Sequence, residues 1–277
     1  MNPEACMRTL FSATLLFLVG IVSSPAWALD PGTTDPALIM EAVEGRETAS
    51  NSMLRLAITI TDKAGRQRSR LVQVRTLQFD GGSKQLILFE EPADLRNAGF
   101  LSIDYSDGNK NDDQWLYLPS LARTTRIASA DKSGSFMGTD LTYADMTQKD
   151  ASQYTYSLVE ASADVDGEDC WLIEATPATA KEESETGYVK SHVWVSKTTL
   201  LPLQMKSWVT EGKRLKYTKM GDVRNVGGHW VAHQVTVRTT KNGEVESTST
   251  LVTSDLVFDS PDVSDADFTE QRLERGL

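Results

Sequence analysis

Two of the chain's three histidines have the spacing of metal ligands. His229 and His233 are four residues apart, and on a helix that spacing would direct both imidazoles at one metal ion. Residues 230–240 instead have the composition of a β-strand, in which same-face residues four apart are separated by about 13 Å. One metal ion cannot bridge that distance. The pattern predicts two strand residues and no metal site.

The acidic run of residues 107–113 places oxygen-bearing side chains at alternate positions, as a calcium-binding loop does. Its sixth position is Asp112 instead of glycine, and its twelfth is Leu118 instead of glutamate. It therefore lacks both the residue for the sharp turn and the bidentate ligand. A solvated turn between two strands is the better interpretation.

The residues that could support hydrolysis are not arranged for it. Ser133 and Ser135 lie in a glycine-rich loop, but no Gly-x-Ser-x-Gly motif and no nearby histidine accompany them. The carboxylates at 90–91 and 112–113 are adjacent pairs, whose side chains point apart in a strand. We therefore predict that the protein is not an enzyme and uses no metal and no cofactor.

Large apolar side chains form a different kind of candidate site. They cluster in residues 100–143 and recur in later strands, and the set comprises Phe100, Trp115, Tyr117, Phe136, Met137, Tyr143, Trp194 and Trp208. Aromatic and methionine side chains offer large apolar area without demanding polar partners. In a sealed sandwich they would be ordinary core, whereas in an open barrel the inward set would line a cavity. The spacing alone leaves both interpretations open.

Arg66, Arg68 and Arg70 alternate along one face of a predicted strand. They could meet anionic lipid headgroups, or an acidic partner, at the mouth of a barrel. Charged side chains on a solvated strand face that discourage aggregation are an equally good interpretation.

The chain begins with the pattern of a cleaved export signal, which predicts a periplasmic protein. Arg8 precedes a mostly apolar run at 10–22, and residues 26–28 read Ala-Trp-Ala, a small-x-small cleavage site. We therefore expect residues 1–28 to be removed and residues 29–277 to form a single domain. Cys6 precedes the apolar run and is not placed for lipid attachment. Cys170 would then be the remaining cysteine, and its apolar neighbours predict a buried side chain.

Strand patterns fill most of the predicted domain. Alternating or β-branched runs separated by turn residues occur at 54–60, 66–79, 84–89, 100–105, 114–118, 123–127, 154–160, 170–176, 188–196, 202–209, 215–226, 230–240 and 244–258. Helices are predicted after Asp35 and at 265–275, with a short helical piece at 141–146 and a mobile loop at 178–187. Such a pattern suits a sandwich or a strongly curved, incompletely closed barrel. The formal net charge of −11, with no basic block, argues against a nucleic-acid partner.

The stretch from 91 to 145 resembles a bacterial envelope family. The resemblance rests on EPADLR at 91–96, on DQWLYLP at 113–119, and on DKSGSFMGTD at 131–140 followed by TYAD at 142–145. These motifs are similar to those of the outer membrane lipoprotein-sorting protein family, whose fold is that of the lipoprotein carriers LolA and LolB. The resemblance implies a strongly curved antiparallel sheet of about eleven strands with a few short helices, forming an open half-barrel around a hydrophobic cavity.

The same resemblance implies a function. We expect a periplasmic carrier that binds a lipid, or the acyl chains of a lipoprotein, for transfer toward the outer membrane. Its cavity would be lined by the aromatic set, with the Phe136–Met137 loop as a movable lid. The expected partners are the cargo, a transient membrane contact and an inner-membrane transporter of the resistance–nodulation–division (RND) type. The alternatives are an accessory subunit that docks on such a transporter without carrying cargo, and a lipid or glycan hydrolase.

Overall fold

One antiparallel sheet dominates the structure. The structure is a computed structural model, and it describes residues 29–46, 48–108, 110–148 and 150–277. Its strands are β1 Asn51–Asp62, β2 Gln67–Phe79, β3 Gly82–Glu91, β4 Gly99–Tyr105, β5 Asp113–Leu118, β6 Arg123–Arg126, β7 Tyr154–Val165, β8 Glu168–Pro177, β9 Tyr188–Ser196, β10 Pro202–Val209, β11 Arg214–Val226, β12 His229–Lys241 and β13 Glu244–Phe258. The predicted signal at 1–28 lies outside the described residues.

The sheet is open, as the half-barrel prediction requires. Its thirteen strands follow the order β6-β5-β4-β3-β2-β1-β13-β12-β11-β10-β9-β8-β7, so in the described structure β6 and β7 are the free edges. This confirms a mainly β, unclosed half-barrel and excludes the two-sheet sandwich. The thirteen strands correspond to the thirteen runs predicted from the sequence pattern, and they are two more than the resemblance implied.

Short turns connect most consecutive strands, so nearly every strand pairs with the strand that precedes or follows it in the sequence. Asn242 and Gly243 have φ values of 54° and 86°, the left-handed conformation that a two-residue hairpin needs. They join β12 to β13 in the register that places Lys241 opposite Glu244. The hairpin predicted from this Asn-Gly pair is confirmed.

In the described ranges three α-helices accompany the sheet: α1 Pro36–Glu44, α2 Ala180–Thr186 and α3 Glu270–Arg275. The first begins as predicted, because the side chain of Asp35 accepts the N–H of Ala37 at 3.0 Å. Its fully buried Ile39 packs on the apolar cluster of β8 and β9. The predicted terminal helix is divided into a one-turn 3₁₀ helix at Asp265–Asp267 and α3.

The prediction of a mobile loop at 178–187 is wrong, because most of that segment forms the helix α2. Thr179 caps the helix by accepting the N–H of Glu182 at 3.2 Å. Glu182 and Glu183 lie in the first turn, where negative charge is favourable to the helix dipole. Gly187 ends the helix with φ 75°. The acidic composition suggested a solvated loop, but it also suits the start of a capped helix.

Strand register defines two faces of the sheet. Residues directly opposite each other share a face, and one row joins Ile173, Val193, Met205, Thr218, Val237, Ser249 and Ile60 across seven strands. We call this face, which also carries α1, the inner face. The other, outer face is covered at β3–β5 by the C-terminal residues Val263, Phe268 and Leu273.

Cys170 lies in an outer-face cluster with Leu201 and Leu203 and is fully buried. Burial raises the pKa of its thiol to about 12, so the side chain is a packed thiol with little thiolate at neutral pH. The predicted buried cysteine is confirmed.

Candidate functional site

The inner face between β1 and β5 is covered by residues 128–148, which we call the lid segment. It lies between β6 and β7 and contains one-turn 3₁₀ helices at Ser129–Asp131, Phe136–Gly138 and Ala144–Met146. Its middle folds back on itself, with the N–H of Phe136 donating to the carbonyl of Leu141 at 2.7 Å. At the tip Met137 and Gly138 have φ values of 50° and 75°. This tight tip directs the preceding aromatic ring into the sheet.

Aromatic rings join the lid segment to the sheet. Phe136 is 2% exposed, and its ring centroid lies 5.2 Å from that of Phe100 on β4, edge to face. Tyr143 completes the group, 5.6 Å from Phe136 and 5.9 Å from Phe100. Such pairs add to the stabilisation from burial alone. The group sits in an apolar cluster with Ile58, Ile60, Val72, Val74, Ile87, Phe89 and Leu251, against which Met137, Leu141 and Met146 of the lid segment also pack.

Buried polar contacts hold the lid segment on both sides of these rings. Asp140, only 5% exposed, accepts a hydrogen bond from Ser249 Oγ on β13 at 2.7 Å and another from Ser247 Oγ. Asp145 accepts a hydrogen bond from Tyr188 Oη at 2.7 Å. Fully buried Gln114 donates through Nε2 to the Tyr143 carbonyl at 2.9 Å. These contacts fix the position of the segment more specifically than apolar packing alone can.

The far end of the lid segment meets a buried carboxyl group. Asp104, 9% exposed on β4, accepts the backbone N–H of Gln148 at 2.7 Å. Burial, and then the neighbouring carboxylate of Asp112, raise the pKa of Asp104 to about 8. Lys132 of the lid segment lies 3.7 Å from Asp112 and 3.4 Å from Glu185 of α2. Because of its raised pKa, the Asp104 carboxyl is protonated at neutral pH and acts as a neutral hydrogen-bonding partner.

Two cavities with both polar and apolar lining flank the apolar contact on the inner face. One, of about 390 Å³, is lined by residues that include Thr76, Gln85, Ser102, Asp104 and Met146. The other, of about 430 Å³, is lined by residues that include Ile60, Arg68, Ser135, Gly138, Thr139 and Lys216. Between them the apolar surface of the sheet is occupied by side chains of the lid segment.

The structure separates the predicted aromatic set into two groups. Phe100, Phe136, Met137 and Tyr143 lie together at the inner face. Trp115 and Tyr117 pack beneath the C-terminal residues on the outer face, and register also assigns Trp194 and Trp208 to the outer face. The two-residue period of a strand correctly predicted that Trp115 and Tyr117 share one side of β5. It could not predict whether that side faces the lid segment or the C-terminal residues.

The three predicted arginines also separate. Arg66 precedes β2 and pairs with Asp62 at 2.7 Å, with 82% of its side chain exposed. Arg68 and Arg70 lie on β2 directly opposite Ile60 and Ile58, so both belong to the inner face.

Residues with catalytic or metal-binding chemistry are dispersed or already engaged. Ser135 Oγ donates to the carbonyl of Thr139 at 2.6 Å, and His192 contacts Glu174 at 3.0 Å on the outer face. His229 and His233 belong to β12, which confirms the strand assignment. Within the described ranges, no group of three or more His, Cys, Asp or Glu side chains could hold a metal ion.

The open sheet and its packed lid segment define the class of protein as a LolA-like half-barrel. A family model described as "uncharacterized protein" matches residues 81–275, more than half of the chain, and the chain belongs to that family. No curated protein matches the chain. In the described part, no helix is long and apolar enough to cross a membrane.

Solved structures agree with this class. The chain is similar to a structure described as an outer membrane lipoprotein-sorting protein domain from Vibrio parahaemolyticus, with 28% identity and a TM-score of 0.78 over 87% of this chain and 98% of that chain. A DUF1329 family protein from Desulfovibrio piger is 28% identical, with a TM-score of 0.78 over 87% of this chain and 100% of that chain. A LolA superfamily protein from Nitrosomonas europaea shares the fold at 20% identity, with a TM-score of 0.64 over 86% of this chain and 99% of that chain.

Proposed function

We propose that the protein is a periplasmic carrier that binds the acyl chains of a lipid or lipoprotein on the inner face of its half-barrel. The observation that carries this proposal is the packing of Phe136, Tyr143 and their neighbours on the apolar inner face. In this state the lid segment occupies the surface on which an acyl chain would bind. No catalytic step is needed for such a function.

Energetically, cargo and lid segment would exchange places. Each buried CH₂ group of an acyl chain contributes about 0.8 kcal/mol, so a chain of ten or more carbons can offset the loss of several apolar lid contacts. The hydrogen bonds between the lid segment and the sheet involve side chains. A segment held in this way opens at a lower free energy than the whole domain unfolds. Opening would leave the thirteen-strand sheet intact.

The route of the cargo follows from the export signal predicted at 1–28 and from the relatives. The Vibrio parahaemolyticus structure is described as a lipoprotein-sorting domain, which supports transfer of acylated cargo toward the outer membrane. An RND-type transporter in the inner membrane would supply or accept the cargo, and both steps would require a transient membrane contact.

A reversible lock on the lid segment tests this proposal. Asp140 and Ser249 contact each other through their side chains, so Asp140→Cys with Ser249→Cys is placed to form a disulfide across lid and sheet. In residues 29–277, we expect a fluorescent acyl probe to bind the parent and the reduced variant, and to lose at least about tenfold in affinity on oxidation. Native mass spectrometry of protein purified without detergent should also show a co-purifying lipid.

The single variants are the control for this lock, because they lose the same polar contact without the cross-link. Cys170 is fully buried, so it will not compete for the disulfide. Equal probe binding in the oxidised and reduced double variant would show that the lid segment does not cover the binding site. Absence of probe binding in the parent would contradict the carrier itself.

An outer-face patch favours a second candidate, the accessory subunit that docks without carrying cargo. Its central row is Glu174, His192, Lys206, Tyr217 and Arg238, directly opposite one another on five strands. In the same patch, the ring centroid of Trp208 lies 4.9 Å from Lys190 Nζ and 4.7 Å from Lys206 Nζ. Tryptophan and arginine are enriched at the centres of protein interfaces.

The docking candidate predicts a contact that acyl binding does not need. A photo-crosslinking residue at Trp208 should then capture the periplasmic part of an RND-type transporter in the native host, and Lys206→Glu with Arg238→Glu should abolish that product. The same double variant should leave acyl-probe affinity unchanged, because the patch is on the other side of the sheet. Crosslinking without any probe binding would favour docking over carriage.

A further inference from the structure

Arg68 and Arg70 are two adjacent positive charges at the margin of the apolar inner surface. Register places them opposite Ile60 and Ile58, which are members of the inner apolar cluster. Side chains two apart on one strand point to the same side. Both guanidinium groups therefore lie on the side of the sheet that the lid segment covers.

Neither arginine forms an ion pair with a carboxylate among the described residues. Arg75 and Arg214 each have a carboxylate oxygen at 2.7 Å, whereas in the described structure no ion pair within 4.0 Å includes Arg68 or Arg70. Nη1 of Arg70 is buried and has no hydrogen-bond partner in the part of the chain that the structure describes. Burial, and then the neighbouring charge of Arg68, lower the pKa of Arg70, and Asp94 only partly opposes them.

A cavity next to this pair has room for an anionic group. Arg68 and Gly138 both line the cavity of about 430 Å³, and a methyl group at Gly138 would lie 3.9 Å from Nη2 of Arg70. Ser135 and Thr139 lie on the same wall, where their hydroxyl groups donate to the carbonyls of Thr139 and Phe136. Ile60 connects this wall with the apolar cluster. The arginine donors and the acyl-binding surface therefore meet at one place.

We propose that Arg68 and Arg70 bind the anionic headgroup, phosphate or carboxylate, of an amphiphilic cargo. This inference rests on the proposed carrier function and adds the class of cargo to it. An oxyanion would accept hydrogen bonds from the unpaired guanidinium and separate two like charges, and charge-assisted bonds from arginine to oxyanions are among the strong hydrogen bonds. The acyl chain would extend from this point over the inner apolar cluster after the lid segment moves.

Three probes at concentrations below micelle formation distinguish the possible ligands: dodecyl phosphate, dodecyl maltoside and inorganic phosphate. By isothermal titration of residues 29–277, we expect dodecyl phosphate to bind about tenfold more tightly than the neutral maltoside. Arg68→Gln with Arg70→Gln should reduce this preference to within about twofold while keeping maltoside affinity. Arg66→Gln is the matched control, because that exposed arginine is paired with Asp62, and it should keep the full preference.

The outcomes separate this inference from the carrier function on which it rests. Equal affinity for both amphiphiles in the parent protein, or a preference that survives the double substitution, would overturn the headgroup site and leave the carrier intact. Binding of inorganic phosphate as tightly as dodecyl phosphate would overturn the assignment to an amphiphile. Failure of both amphiphiles to bind the parent would overturn the carrier and this inference together.

Discussion

Replacing Phe136 with alanine is expected to tighten the binding of an acyl probe by about 10- to 100-fold. The ring is 2% exposed and packs edge to face on Phe100, and truncating a buried phenylalanine costs about 3–5 kcal/mol. Part of this loss destabilises the closed state of the lid segment relative to its open state. Each 1.4 kcal/mol of that destabilisation raises the fraction of molecules with an open lid segment about tenfold. The substitution also empties volume on the inner face. Fluorescence titration of residues 29–277 measures the effect.

Phe268→Ala is the matched control for this prediction. Phe268 is 3% exposed and is one of the C-terminal residues that pack on the outer face. We expect it to lower the free energy of unfolding, measured in urea, without changing probe affinity. If Phe136→Ala also lowers stability without changing probe affinity, then the Phe136 ring serves only as part of the hydrophobic core. The lid segment would then have no role in admitting cargo.

The second large effect concerns stability against pH. The folded state raises the pKa of Asp104 to about 8, well above the ordinary aspartate value near 4. Between these two values the folded chain holds a proton that the unfolded chain has lost. The free energy of unfolding should therefore fall as the pH rises from about 4 to 8, by up to about 1.4 kcal/mol per pH unit from this group. The stabilisation is complete below the unfolded pKa and is lost as the pH passes through the folded one.

Asp104→Asn should remove this dependence, because an amide needs no proton to stay neutral beside Asp112 and Lys132. In urea unfolding at pH 5, 6.5 and 8, the free energy of unfolding of the variant should rise relative to that of the parent by a few kcal/mol from the lowest to the highest pH. Asp80→Asn, at an exposed turn position between β2 and β3, is the control and should follow the parent at every pH. Parallel curves for the parent and Asp104→Asn would show that Asp104 is ionised throughout.

Local patterns were sufficient for the elements that depend on neighbours in sequence. The Asn242–Gly243 turn and the cap at Asp35 each rest on contacts within a few residues. Strand alternation likewise depends only on the two-residue period of the backbone. These features were predicted correctly because the physical cause of each lies within the segment itself. Residues 178–187 form the exception, since their composition suits both a solvated loop and the capped helix α2.

The candidate site depended on tertiary structure. Strand alternation predicts that Trp115 and Tyr117 share one side of β5. In the structure the C-terminal residues cover that side, and the lid segment covers the opposite side. The polar contact between Asp140 of the lid segment and Ser249 joins residues 109 positions apart. No local pattern marks such a pair, because neither residue has a partner until the strands are assembled.

Sequence patterns were enough to predict the strands, their turns and the resemblance to a lipoprotein-sorting family. The packing of distant segments determines which apolar side chains meet beneath the lid segment. It also places Arg68 and Arg70 beside them, where neither arginine forms an ion pair with any described residue. The physical reason is that a strand's period fixes which residues share a side, whereas the packing of distant segments decides which side is buried.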